Sequence, residues 1–174
     1  MKVIVGLGNP GPEYALTRHN AGFLALDWRV GETGWSFQKK FNAFVNESPG
    51  CLFIKPQTFM NDSGRSVGAV LDYYGLLTDN LSSETDFSDS LVVIHDDLDV
   101  DVGKFKIATD SRSAGHRGVE SIIQRLKTKK FTRYRIGIRT ADRGLVPTEK
   151  FVLQKFSKDE LVAVKAAVAL LPEF

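Results

Sequence analysis

The segment that most restricts the fold is the first turn. "KVIV" is a short apolar run at residues 2–5, and "GLGNPGPEYALTRHNAGF" follows it over residues 6–23. Gly6, Gly8 and Gly11 fit G-x-G-x-x-G, the spacing of a dinucleotide-binding loop. Such a loop must pass straight into a helix whose free N–H groups meet a pyrophosphate. Pro10 and Pro12 remove two of those donors, and each pushes the preceding residue, Asn9 or Gly11, away from helical torsions. A helix is not expected before Pro12, and the helical pattern starts near His19. The acid that would hold a ribose is doubtful as well, because Asp27 comes too early and lies mid-helix. The first strand is therefore expected to end in a returning loop, not a nucleotide cradle.

Beyond that turn, strand and helix patterns alternate. "NAGFLALDWRV" carries apolar residues at helical spacing, with Phe23, Leu26 and Val30 on one face. "WSFQKKFNAFVNE" alternates as one strand, and "CLFIKP" is its hairpin partner across "SPG". "DSGRSVGAVLDYYG" reads as a helix stopped by Gly75. Residues 78–90 form a polar, acidic loop. "LVVIHDD" is a buried strand and "GKFKIAT" alternates. "GHRGVESIIQRLKT" is a helix with a basic last turn, "YRIGIRT" a strand, and "SKDELVAVKAAVALL" an amphipathic helix. A chain of 174 residues in this order is expected to form a single α/β domain, a twisted mixed (mostly parallel) sheet sandwiched between helices.

Composition narrows the class further. The apolar fraction of 43% and charged fraction of 25% are those of a soluble globular protein. No apolar run approaches the roughly 18 residues of a membrane span, and the N-terminus lacks the pattern of a signal peptide. A cytoplasmic protein without a membrane role is expected. The one cysteine, Cys51, excludes an internal disulfide and a cysteine-rich zinc site; within "CLFIKP" it reads as a buried structural thiol. Net charge is only +2, but it is unevenly laid out. Ser66–Gly103 has no lysine or arginine, whereas Lys104–Arg143 holds twelve basic residues against three acidic ones. That block points to a polyanionic partner, the alternative being a solvated basic face.

Chain direction then gathers a candidate site. In open α/β sheets, ligands bind at the carboxyl ends of the strands. Asn9 leaves the first strand at that edge, and the returning loop brings His19 to the mouth of the first helix. "IHDD" ends another apolar strand, so Asp96 can reach that edge too, and Asn61 follows "CLFIKP" at a helix start. A neutral imidazole can take a proton from water near pH 7, and a carboxylate behind it fixes the tautomer. Asparagine amides can hold a peptide backbone or a developing oxyanion. Each residue also has a plain structural reading: His19 as a cap or satisfied polar group, Asn9 as a turn former, Asn61 as an N-cap. No G-x-S-x-G elbow is present, so water is the expected nucleophile for cleaving an activated acyl bond. Asp97, Asp99 and Asp101 open like a calcium loop, but Val102 and Ala108 stand where glycine and glutamate are required. They read as a solvated strand end. No ligand spacing for zinc is seen, and no metal is expected.

Five stretches, "VGLGNPGPEYALTRHNAGF", "KPQTFMNDSG", "VIHDDLD", "GKFKIATDSRSAGHRGVESII" and "YRIGIRT", together closely resemble bacterial-type peptidyl-tRNA hydrolases, in order, from Val3 to roughly Phe156. The resemblance implies a monomeric enzyme without cofactor that cleaves the ester between a nascent peptide and its tRNA. It implies that His19 activates water with Asp96 as its partner, and that Asn9 and Asn61 hold the peptide part. Tyr14, Phe59 and Met60 would line the cleft, and Lys104, Lys106 and Arg135 would grip tRNA phosphate. One position departs from the pattern: where the family commonly has asparagine after Gly-His, this chain has Arg117, a donor-only cation expected to bind substrate, at a phosphate or the oxyanion, with slowed catalysis as the alternative. The acidic 78–90 loop is longer than usual, and the C-terminal helix is abbreviated. A catalytically impaired RNA-binding protein on the same scaffold is the alternative implied.

Overall fold

The structure, a computed structural model, describes residues 1–77 and 79–174. Its centre is β1 (Lys2–Gly6), which pairs in parallel with β4 (Cys51–Pro56) on one side and β5 (Leu91–Asp101) on the other. The full order is β2-β3-β4-β1-β5-β7-β6, with β2 at Ser36–Gln38, β3 at Ala43–Ser48, β6 at Phe105–Ala108 and β7 at Thr132–Arg139. The inner strands β4, β1, β5 and β7 are mutually parallel, while β3 and β6 run against them. The sheet is thus mixed and mostly parallel, as the alternation of patterns implied.

Inner strands are apolar on both faces because helices cover both. Val3 and Val5 pack with Val67, Val70 and Leu71 of α2 (Ser63–Tyr73) and with Val119, Ile122 and Leu126 of α3 (Arg117–Leu126). Ile4, Ile94 and Ile136 face the other layer, formed by α1 (Ala21–Val30) and α5 (Lys158–Ala169). A short α4 (Thr148–Phe151) leads into α5. No helix among the described residues is long and apolar enough to cross a membrane.

Four expectations need correction. The buried face of α1 is Ala21, Gly22, Ala25 and Leu26, whereas Phe23 and Val30 are only partly covered. The reason is distance: the start of α1 lies so close to the end of β1 and to the first half of β5 that a Cβ on Gly22 would collide with the backbone of Leu7 and Ile94. Small residues are the ones that fit there. Second, residues 35–47 are not one strand. The chain turns at Lys39–Asn42, with Asn42 at φ 48°, and β2 pairs with β3 as a hairpin. Third, Asp97 is buried and not solvated. Fourth, Cys51 is only half-buried, at the start of β4. The acidic segment after α2 is a loop anchored by buried Phe87 and by a Lys130–Glu84 ion pair; its first residue, Thr78, lies outside the described residues.

The glycine spacing in the first turn serves this packing. A Cβ on Gly6 would strike the carbonyl of Gly22, and Gly11 turns the chain at φ 114°. Gly22→Ala is expected to lose at least about 3 kcal/mol of stability, because backbone on both sides of the new methyl would have to shift. A urea midpoint falling with unchanged slope checks this.

Candidate active site

His19 is held from behind by the C-terminal part of the chain. It sits in a 3-10 turn, Arg18–Asn20, between the returning loop and α1. Its backbone N–H donates to the Val152 carbonyl at 2.8 Å, and Arg18 N–H donates to Gln154 at 3.0 Å. The Arg18 guanidinium is buried; it lies over the Phe151 ring and donates to both Glu160 carboxylate oxygens, at 2.7 and 3.0 Å. Glu160 also closes the capping box that starts α5. One ion pair therefore joins the start of α5 to the turn carrying the imidazole.

Asp96 sits just beyond the end of β1, since the last rung of that pairing joins Gly6 to Ile94. One of its oxygens, Oδ1, accepts from two imidazoles: His19 Nδ1 at 2.9 Å and His116 Nε2 at 2.9 Å. Burial alone would favour the neutral acid, but the two facing rings outweigh it and hold the Asp96 carboxyl far below the usual carboxylate range. An ionised carboxylate only accepts, so His19 carries its proton on Nδ1. Its Nε2 is left bare, with no hydrogen-bond partner among the described residues. Burial works against charging the His19 ring, yet the attraction and hydrogen bond of Asp96 more than offset it, and Arg117 opposes them. The net result is a pKa above the ordinary 6.5.

His116 was not singled out from the sequence. It is the N-cap of α3, and its Nδ1 accepts from the Val119 N–H at 3.3 Å. With Nδ1 accepting and Nε2 donating to Asp96, both ring nitrogens are assigned partners. His95 stands behind it, ring centroids 4.7 Å apart, and donates from Nδ1 to the Asp96 carbonyl at 2.7 Å. Burial first, and His116 second, push His95 down to about 3, so it stays uncharged. The only hint of His116 in sequence was "GH" directly before an amphipathic helix.

Asn9 is buried, and its amide orientation is set by its neighbours. Asn9 Oδ1 accepts from the Met60 N–H at 2.8 Å, leaving its Nδ2 as a free donor. Asn20, also missed in sequence, brackets the Asn9 backbone: its Oδ1 accepts from Asn9 N–H and its Nδ2 donates to the Asn9 carbonyl, both at 2.9 Å. Asn61 does not cap α2, whose N-cap is Asp62; it is exposed, and its side chain makes no hydrogen bond among the described residues.

These groups meet in one cavity of about 790 Å³, lined by Asn9, His19, Phe59, Met60, Asn61, Asp96 and Arg117 among others. Tyr14 does not line it; its carbonyl accepts from the Thr17 hydroxyl at 2.8 Å in the preceding turn. Lys106 and Arg135 are register partners on β6 and β7. Arg135 bonds to the buried Asp97 at 2.6 Å, and Lys104 pairs with Asp101 at 3.3 Å. The ligand atoms of His19, Asp96 and His116 lie within 4.8 Å of one another, a grouping capable of metal binding that no sequence spacing revealed. Both rings already direct N–H groups at Asp96, so a cation would have to displace two protons.

The whole chain is similar to one group of proteins. A profile of peptidyl-tRNA hydrolases matches residues 3–173. A peptidyl-tRNA hydrolase from Brevibacillus brevis is 41% identical over 98% of this chain and 87% of its own length. Another, from Mycoplasma capricolum subsp. capricolum, is 42% identical over 100% of this chain and 90% of its own. The crystal structure of peptidyl-tRNA hydrolase from Acinetobacter baumannii aligns with a TM-score of 0.79 at 30% identity, covering 97% of this chain and 83% of that one.

Proposed function

The chain belongs to the peptidyl-tRNA hydrolase family and hydrolyses the ester between peptide and tRNA; on that premise we propose how its own residues carry the reaction. His19 is the general base. Its bare Nε2 takes a proton from water as the water oxygen attacks the ester carbonyl carbon. The imidazolium that forms is stabilised by Asp96, which also holds the tautomer. When the tetrahedral intermediate collapses, the carbon–oxygen bond to the ribose breaks and His19 returns the proton to the leaving oxygen. Peptide carboxylic acid and free tRNA result. The observation that carries this reading is the 2.9 Å contact from His19 Nδ1 to Asp96, which leaves the other ring nitrogen free in a cavity.

Asn9 donates from Nδ2 to the carbonyl oxygen as it gains charge, because its Oδ1 is already engaged by Met60. Asn61 holds the peptide backbone, and Phe59 and Met60 give the acyl group an apolar wall. Lys106 and Arg135, with Lys104 beside them, meet tRNA phosphate, so binding should weaken with salt. The substrate arises from translation, so the working compartment is the cytoplasm; every side chain named comes from one chain, so a monomer suffices.

Release of N-acetyl-phenylalanine from N-acetyl-phenylalanyl-tRNA tests this reading. Wild type and His19→Ala proving equally slow would favour an impaired RNA-binding protein instead. The pH profile carries a sign. Only neutral His19 is a base, so kcat/KM should be full at high pH and fall as pH drops through a value above 6.5. A limb below 6.5 would contradict the Asp96 contact.

A further inference from the structure

Resting on the reading above, we propose that Arg117 is a specificity-determining residue: its charge excludes substrates whose α-amino group is free and protonated. Arg117 is the first residue of α3 and follows His116, whose ring centroid is 4.9 Å from that of His19. The side chain is exposed and lines the cavity with Asn61 and His19. Among the described residues it makes no hydrogen bond or ion pair. Arg18 and Arg135 are ion-paired, with Glu160 and Asp97; Arg143 also lines the cavity, bonded through Nη2 to the neutral Thr148 hydroxyl. Arg117 is thus a cation left for what enters the cavity, and its charge reaches His19, whose protonation it opposes.

The chemistry that separates the wanted substrate from the unwanted one is local. Peptidyl-tRNA has a neutral amide nitrogen on the carbon next to the ester carbonyl; aminoacyl-tRNA has an ammonium there. The carbonyl carbon must come within about 3.5 Å of the water on His19, which places that nitrogen beside the same ring. Asp96 would attract an ammonium, as would Asp99 and Glu149 on the cavity wall, favouring the wrong substrate. An unpaired guanidinium on the wall of the cavity that holds His19 repels that ammonium. A neutral amide is not repelled. Selectivity of this kind comes from a penalty on the competitor.

The test compares kcat/KM for N-acetyl-phenylalanyl-tRNA, phenylalanyl-tRNA and phenyllactyl-tRNA, the last having a neutral hydroxyl at the α position and no peptide bond. The ratio of acetylated to free aminoacyl substrate should fall about tenfold in Arg117→Gln and be retained in Arg117→Lys. Wild type should cleave phenyllactyl-tRNA faster than phenylalanyl-tRNA, with the gap closing in Arg117→Gln. An unchanged ratio in Arg117→Gln, or an equal fall in Arg117→Lys, overturns the inference while leaving the hydrolase reading intact. Wild type cleaving none of the three overturns both.

Discussion

His19→Ala is expected to lower kcat for N-acetyl-phenylalanyl-tRNA by about a thousandfold, the scale of a lost general base. The change should fall on kcat more than on KM, because the ring meets water and not the bound peptide or phosphate. The fold should survive. What holds this turn is backbone and Arg18: the His19 N–H on Val152, and the guanidinium on Glu160 and over Phe151. Asp96 also keeps one ring donor, from His116. Matching denaturation midpoints for variant and wild type would assign the loss to chemistry, whereas a similar loss with a collapsed midpoint would assign it to structure.

Asp96→Asn is expected to be as damaging for a different reason. Both imidazole N–H groups meet one oxygen, Oδ1, and an asparagine oxygen there can still accept, but it is neutral and its Nδ2 brings donors where the second carboxylate oxygen stood. The amide neither stabilises the imidazolium nor forces the His19 proton onto Nδ1, because an amide N–H can face a bare Nδ1 instead. Loss of this control costs about 10⁴ in kcat. A second signature separates it from general damage. With the carboxylate gone, burial and Arg117 are left to act on His19, and both lower its pKa. The acid limb should therefore move to lower pH even as the rate falls. A limb that stays in place would mean Asp96 does not set the proton affinity of His19.

Much of this arrangement was legible in the sequence, for identifiable reasons. His19, Asp96, Asn9 and Asn61 could be brought to one rim because apolar runs mark buried strands, and parallel strands end at a common edge. What was missed depends on contacts between segments far apart in the chain. His116 acts through Asp96, 20 residues earlier, and occupies an N-cap position where histidine is not a usual choice. Asn20 supports Asn9 only because the loop between them closes on itself. The β2–β3 turn was hidden because side-chain alternation runs through it: Phe37 and Phe44 look like one strand but are register partners on two. The face of α1 was misread because hydrophobicity favours Phe23 and Val30, while the close approach at Gly22 admits only small side chains. Asp97 reads as one more exposed acid until β7 places Arg135 against it.

The proton on the His19 ring tests the central claim most directly. Nitrogen-15 NMR of the imidazole above the acid limb should find Nδ1 protonated and Nε2 bare, with the ring titrating above 6.5 at the same pH as kcat/KM. A proton on Nε2, or a titration unrelated to activity, would contradict an imidazole poised by Asp96 to deprotonate water.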